Sequence, residues 1–122
     1  MGSLGNILFA EDDTILRDSL SDRLLDTGYK VALASNGSEA IALAKKSHFD
    51  LALLDINMPE VNGFEVLSFI KENFPLVKVI MLTGYADLSN AIKAKKLGAD
   101  DFIEKPYDLV DLLATIEQVL RS

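Results

Sequence analysis

The sequence predicts an α/β protein, a doubly wound five-stranded parallel sheet with helices on both faces. Three observations predict it. Short apolar runs alternate five times with stretches of helical periodicity, the pattern of repeated β/α units. The runs are too apolar to be half exposed, as expected of parallel strands covered on both sides. Four of them also deliver reactive side chains at their C-terminal ends: Glu11, Asp12 and Asp13 after 7–10, Asp55 after 51–54, Thr83 after 79–82, and Lys105 beyond Phe102 and Ile103. Parallel strands bring such ends to one edge, where open α/β sheets hold their ligands.

The elements follow in order. Ile7 to Ala10 is the first strand, and Leu16, Leu20 and Leu24, spaced by four, form a helix face that ends at Gly28. Tyr29 to Ala34 alternates as a second strand, and a turn over 35–38 leads to a helix with Ala40, Ile41 and Ala44 on one face. Leu51 to Leu54 is the third strand. The turn formers Pro59, Asn62 and Gly63 make the next loop, before a helix carrying Phe64, Leu67 and Ile70 that Pro75 stops. Val77 to Leu82 is the fourth strand; Asp87 is placed to cap a helix with Leu88, Ala91, Ile92 and Leu97 that ends at Gly98. Asp101 to Glu104 is a short fifth strand. Asp108 caps a final helix whose stripe is Leu109, Leu112, Leu113, Ile116 and Leu120.

At 122 residues the chain has the length of one domain, which the reading divides into a tail, 1–5, that is expression-derived or disordered, and a folded unit, 6–122. No apolar stretch reaches the roughly 20 residues a membrane span needs, so the protein reads as cytoplasmic. With no cysteine there is no disulfide, thiolate zinc site or thiol nucleophile. A net charge of −7 argues against direct nucleic-acid binding, because phosphate-backbone recognition needs a basic face.

Carboxylates from Glu11, Asp12 and Asp55 gathered at one edge repel one another, so protons or a cation must accompany them. Mg²⁺ suits the set: it binds one or two carboxylates and keeps waters that phosphate oxygens can replace. Lys105 can pair with a phosphoryl oxygen, and the Thr83 hydroxyl can donate to another. Aspartate carboxylates accept phosphoryl groups, which makes Asp55 a nucleophile of the right kind. Asp13, beside Thr14, reads as a helix cap rather than a site residue. His48 precedes the third strand, at the opposite edge, and is excluded. Lys93, Lys95 and Lys96 read as a solvated helix face.

Four segments, ILFAEDD, LALLDINMPEVNG, MLTG and GADDFIEKP, occur in this order with domain-length spacing, and with them the chain from Asn6 to Arg121 resembles the receiver domain of two-component response regulators. The resemblance implies a flavodoxin-like fold with strand order 2-1-3-4-5. It implies that Asp55 is the phosphoacceptor, that Asp12, Asp55 and the Asn57 backbone carbonyl bind Mg²⁺, and that Glu11 acts on the ion through water. It implies that Thr83 and Lys105 hold the phosphoryl group, that Phe102 partners a Thr83 switch, that Asn57 and Tyr85 modulate dephosphorylation, and that Lys105–Pro106 is cis. Glu11 stands where aspartate is commoner and Phe102 where tyrosine is frequent; Phe102 also suits ordinary core packing.

The implied role is signalling rather than enzymatic. A sensor histidine kinase or phosphotransfer protein donates the phosphoryl group, and the face of the fourth helix, fifth strand and fifth helix responds, toward an output domain C-terminal to this segment, another partner, or a second copy in a homodimer. The stretch from Thr83 to Pro106 looks like receivers of transcriptional activators. Two alternatives stand beside this reading. An Mg²⁺-dependent aspartyl-phosphate phosphohydrolase would need a second aspartate two residues after the nucleophile, where this chain has Asn57. The other is an unphosphorylated receiver-like interaction module. A flavin or nucleotide module is disfavoured by the lack of a GxGxxG or P-loop sequence.

Overall fold

The computed structural model describes residues 4–84 and 88–122. Strands β1 (Asn6–Ala10), β2 (Lys30–Ala34), β3 (Leu51–Asp55), β4 (Lys78–Thr83) and β5 (Asp101–Glu104) alternate with helices α1 (Thr14–Thr27), α2 (Gly37–Lys46), α3 (Gly63–Asn73), α4 (Leu88–Lys96) and α5 (Leu109–Arg121). All strands pair in parallel, in the order β2-β1-β3-β4-β5. The predicted architecture is the observed one.

The continuous apolar runs have a simple cause. Successive side chains of a strand point to opposite faces, and here both faces are covered. Ile7, Phe9, Leu51, Leu53, Ile80 and Leu82 pack with Leu20 and Leu24 of α1 and Leu112, Ile116 and Val119 of α5. Leu8, Ala10, Ala52, Leu54, Val79 and Met81 pack on the other side with residues of α2, α3 and α4. β3 is buried at all five positions. The expectation that no strand is half exposed fails at the two edges: β2 and β5 carry exposed and half-buried residues because each has a neighbour on one side only.

The caps are set by short polar side chains. Asp13 accepts from the Leu16 amide at 3.1 Å, so its predicted capping role holds, and Asp108 accepts from Val110 at 2.8 Å. Asn36 and Asn62, which the sequence places among turn formers, cap α2 and α3 by accepting from the amides of Glu39 and Glu65. Gly28 ends α1 with φ 118°, a left-handed conformation that favours glycine. Asp87 lies outside the described residues. Leu4 and Gly5, placed by the sequence reading in the tail, hydrogen-bond through their main chains to Gly28 and Lys30.

Gly63 fixes the β3–α3 junction. A Cβ there would stand 2.4 Å from the Asp55 carbonyl oxygen and 2.8 Å from the Ile56 Cα, so the first turn of α3 lies directly on the main chain that ends β3. The Gly63 amide donates to the Ile56 carbonyl at 3.0 Å, which closes the loop. Overpacking of this kind costs about 1–3 kcal/mol. Gly63→Ala should therefore lower the urea midpoint by a corresponding amount, and an unchanged midpoint would show that the junction yields freely.

Candidate functional site

The strand ends meet as the sequence predicts. β1 runs directly into Glu11, whose amide donates to the Ala34 carbonyl at 3.0 Å and so prolongs the β1–β2 ladder by one residue. Asp55 closes β3 and Thr83 closes β4, next to it in the sheet. The Lys105 amide donates to the Thr83 carbonyl at 2.6 Å, holding the residue after β5 beside the end of β4. The Lys105–Pro106 peptide is cis.

Glu11, Asp55 and Thr83 are the buried polar residues at this edge, whereas Asp12 is exposed. Carboxylate oxygens of Glu11, Asp12 and Asp55 lie within 4.8 Å of one another. The Lys105 ammonium sits between two of them, 2.5 Å from Glu11 Oε1 and 3.5 Å from Asp55 Oδ2. Further donors hold the acids: the Asp13 amide reaches Glu11 Oε2 and the Asn57 amide reaches Asp55 Oδ1, each at 3.2 Å. Arg17 of α1 donates to the Glu11 main-chain carbonyl at 3.1 Å, a contact the sequence did not signal.

The electrostatics follow from one cation serving two buried acids. Burial pushes the Glu11 carboxyl up to about 7; its bond to Lys105 opposes the rise, and the neighbouring Asp55 adds to it. Burial alone would lower the Lys105 pKa, but its bond to Glu11 and the charges of Asp55 and Glu11 outweigh that and raise it. The ammonium therefore stays charged. The donor set is all oxygen, anionic and clustered, with Asp12 open to solvent, and this fits a hard divalent ion.

Thr83 and Phe102 share a face. In the register of β4 and β5, Phe102 lies beside Met81 and Glu104 beside Thr83, and strand alternation puts Met81, Thr83 and Phe102 on the side covered by α4. Phe102 is half-buried and packs on the same core cluster as Ala94 and Leu97. Asn57 is exposed. Tyr85 lies outside the described residues. His48 is exposed, before β3, and 3.4 Å from Asp50; it takes no part in the cluster. Of the solvated lysines, Lys93 lies 4.6 Å from the centre of the Phe64 ring and so joins α4 to α3. Sequence reasoning passed over Tyr107, next to the cis bond, whose hydroxyl is buried and has no hydrogen-bond partner among the described residues.

A parallel sheet of this order with an acidic hollow at the C-terminal edge of its strands defines a flavodoxin-like α/β module with a cation-ready site. The chain belongs to the response regulator receiver domain family, whose model matches residues 7–117. It is 39% identical to the probable transcriptional regulator ycf27 of Porphyridium aerugineum over 94% of this chain and 48% of that protein. It is 38% identical to the transcriptional regulatory protein ZraR of Klebsiella oxytoca over 98% of this chain and 27% of that one. The chain thus spans about half the length, or less, of these relatives. Among solved structures it is similar to a CheY-like receiver domain protein of Methanospirillum hungatei JF-1, with TM-score 0.93 and 39% identity over 98% of this chain and 95% of that one. The beryllofluoride-activated DrrB receiver domain matches over the whole of both chains, with TM-score 0.88 and 30% identity. Receiver domains are signalling modules of two-component response regulators rather than conventional enzymes. Among the described residues, no helix is long and apolar enough to cross a membrane.

The raised Glu11 pKa has a definite sign. The folded chain holds that proton more tightly than the unfolded one, so stability contributed below the ordinary carboxyl range of 4.5 is lost as pH rises toward about 7, then levels off. The loss should be on the order of 1–3 kcal/mol. Urea titrations in chelator at pH 5 and pH 8 should show it, and Glu11→Gln should flatten the difference. A slope that survives Glu11→Gln would place the effect elsewhere.

Proposed function

We propose that the chain is a phosphoacceptor switch: Asp55 receives a phosphoryl group from a phosphohistidine of a sensor kinase or phosphotransfer protein, with Mg²⁺ in the acidic hollow. The observation that supports it most is the clustering of the Glu11, Asp12 and Asp55 carboxylates at the strand ends, with one ammonium between Glu11 and Asp55. Asp12, Asp55 and the Asn57 carbonyl would hold the ion, with Glu11 acting through water. The ion would supply positive charge against the equatorial phosphoryl oxygens.

In the transfer, an Asp55 carboxylate oxygen forms the bond to phosphorus while the bond from phosphorus to the donor imidazole nitrogen breaks, its electron pair leaving with the nitrogen. Lys105 is already 3.5 Å from Asp55 Oδ2 and needs only to exchange Glu11 for a phosphoryl oxygen. Thr83, on the neighbouring strand end, donates to another. Its inward movement opens room on the α4 side of the sheet, which Phe102 fills by burying the rest of its ring. The faces of α4, β5 and α5 change together as a result, and that change is read by an output domain, a partner protein or a second copy of the chain. Such a switch requires two packings that the phosphoryl group biases. Asn57 and Tyr85, two residues beyond Asp55 and Thr83, set how fast water removes it. The setting is cytoplasmic, where the kinase domains and transcriptional targets of such regulators reside.

Incubation with a small acyl phosphate and Mg²⁺ should add the mass of one phosphoryl group to the intact protein and none to Asp55→Asn. No gain in the parent chain, or a gain kept by Asp55→Asn, would overturn the reading. Mg²⁺ alone should also stabilise the fold, by about 2.7 kcal/mol at a hundredfold excess over its Kd. The effect should be larger at pH 8 than at pH 5.5, because a protonated Glu11 is a poorer partner for the cation, and Asp12→Asn should diminish it. A melting temperature indifferent to Mg²⁺ at both pH values would remove the metal from the mechanism.

A further inference from the structure

Tyr107 is half-buried, and its buried hydroxyl has no assigned task. Its ring packs against the core cluster shared by α1 and α5, as Ile103 and Leu109 also do. Its hydroxyl oxygen is closed off from solvent and has no hydrogen-bond partner among the described residues. Natural folds rarely tolerate this, because an unmatched buried hydroxyl costs more than an average hydrogen bond contributes, and a phenylalanine would keep the packing without the penalty.

The location gives the hydroxyl a use. Tyr107, Lys105, Pro106, Leu16 and Gly84 line one open hollow of about 370 Å³. Lys105 links this hollow to the acidic cluster, for it lines the one and its ammonium is committed to Glu11 and Asp55 in the other. Burial, with the charges of Glu11 and Asp55 adding to it, raises the Tyr107 pKa to about 12. The group is therefore a neutral donor at any physiological pH, in a field that draws its proton toward the acids.

We infer that the Tyr107 hydroxyl is a donor reserved for the loaded site: it engages an anionic oxygen there once Lys105 turns from Glu11 to a phosphoryl group, which makes Tyr107 a positioning residue for that state. The inference rests on the phosphoacceptor reading. Two oxygens meet the description, the Glu11 oxygen that Lys105 gives up and an oxygen of the phosphoryl group itself. A tyrosine kept for this purpose destabilises the free chain and favours the loaded one, so it sharpens the difference between the two.

Tyr107→Phe tests it, with beryllofluoride as the phosphoryl stand-in. The variant should melt at a higher temperature than the parent when free of Mg²⁺, yet bind beryllofluoride with Mg²⁺ about tenfold more weakly, equivalent to ~1.4 kcal/mol. A purely structural role would move both states alike. The weakening should be confined to beryllofluoride with Mg²⁺; weakening already seen with Mg²⁺ alone, where Lys105 still holds Glu11, would overturn the inference. A variant that binds beryllofluoride as the parent does overturns the inference and leaves the phosphoacceptor reading intact, since the parent still responds. A parent chain that neither binds beryllofluoride nor gains phosphoryl mass overturns both.

Discussion

One ammonium placed between two buried carboxylates organises the functional edge of this molecule. Lys105 cannot satisfy Glu11 and Asp55 equally, and the distances of 2.5 and 3.5 Å show that Glu11 has the closer share. Removing one member of a buried ion pair leaves the other uncompensated, typically at a cost of about 3–5 kcal/mol. The sheet therefore has to hold β1, β3 and the residue after β5 in a fixed relation, and the bond from the Lys105 amide to the Thr83 carbonyl does so across the β4–β5 seam. The same incomplete neutralisation makes the edge receptive to a further cation. A fully compensated cluster would be inert, and this one is held ready by its own deficit of positive charge.

Most of this architecture can be read from the chain because the physics that sets it is local or periodic. Ile7 to Ala10 and Leu51 to Leu54 are apolar at every position since both faces of each strand are covered, and a run of that kind admits few other interpretations. The polar residues that terminate the runs stand out against them, so the acidic cluster, Thr83 and Lys105 could be found without coordinates. Asp13 was separable from Asp12 by its place before a helix, and the structure shows it capping α1.

What escaped the sequence depends on long-range contact or on chemistry that one residue type shares among several roles. Asn36 and Asn62 sit among other turn formers, and only the backbone shows that each accepts an amide bond from the first turn of a helix. The exposure of β2 and β5 follows from strand order, which the residues of those strands do not encode. Val119 is not counted in the predicted stripe of α5, yet it is buried and Leu120 only half so, because Leu112, Ile116 and Val119 stand at i, i+4 and i+7 on the same helix face. Asp100 accepts from the Val79 amide and from Lys71 of α3, tying three elements together across a separation that no local pattern reveals. Tyr107 reads as an ordinary aromatic after proline until its hydroxyl is seen to be closed in.

The close approach of Gly63 to the Asp55 main chain has a mechanical meaning. With no side chain between them, the first turn of α3 is a strut bearing on the backbone that carries Asp55, and its own far end is braced by Lys71 against Val77 and Asp100. Displacement imposed on α3 from outside is transmitted to the acidic edge with little compliance to absorb it. The helix is thus a lever arm as well as a wall of the core, and a protein that grips its outer surface acquires leverage over the aspartate without approaching the hollow.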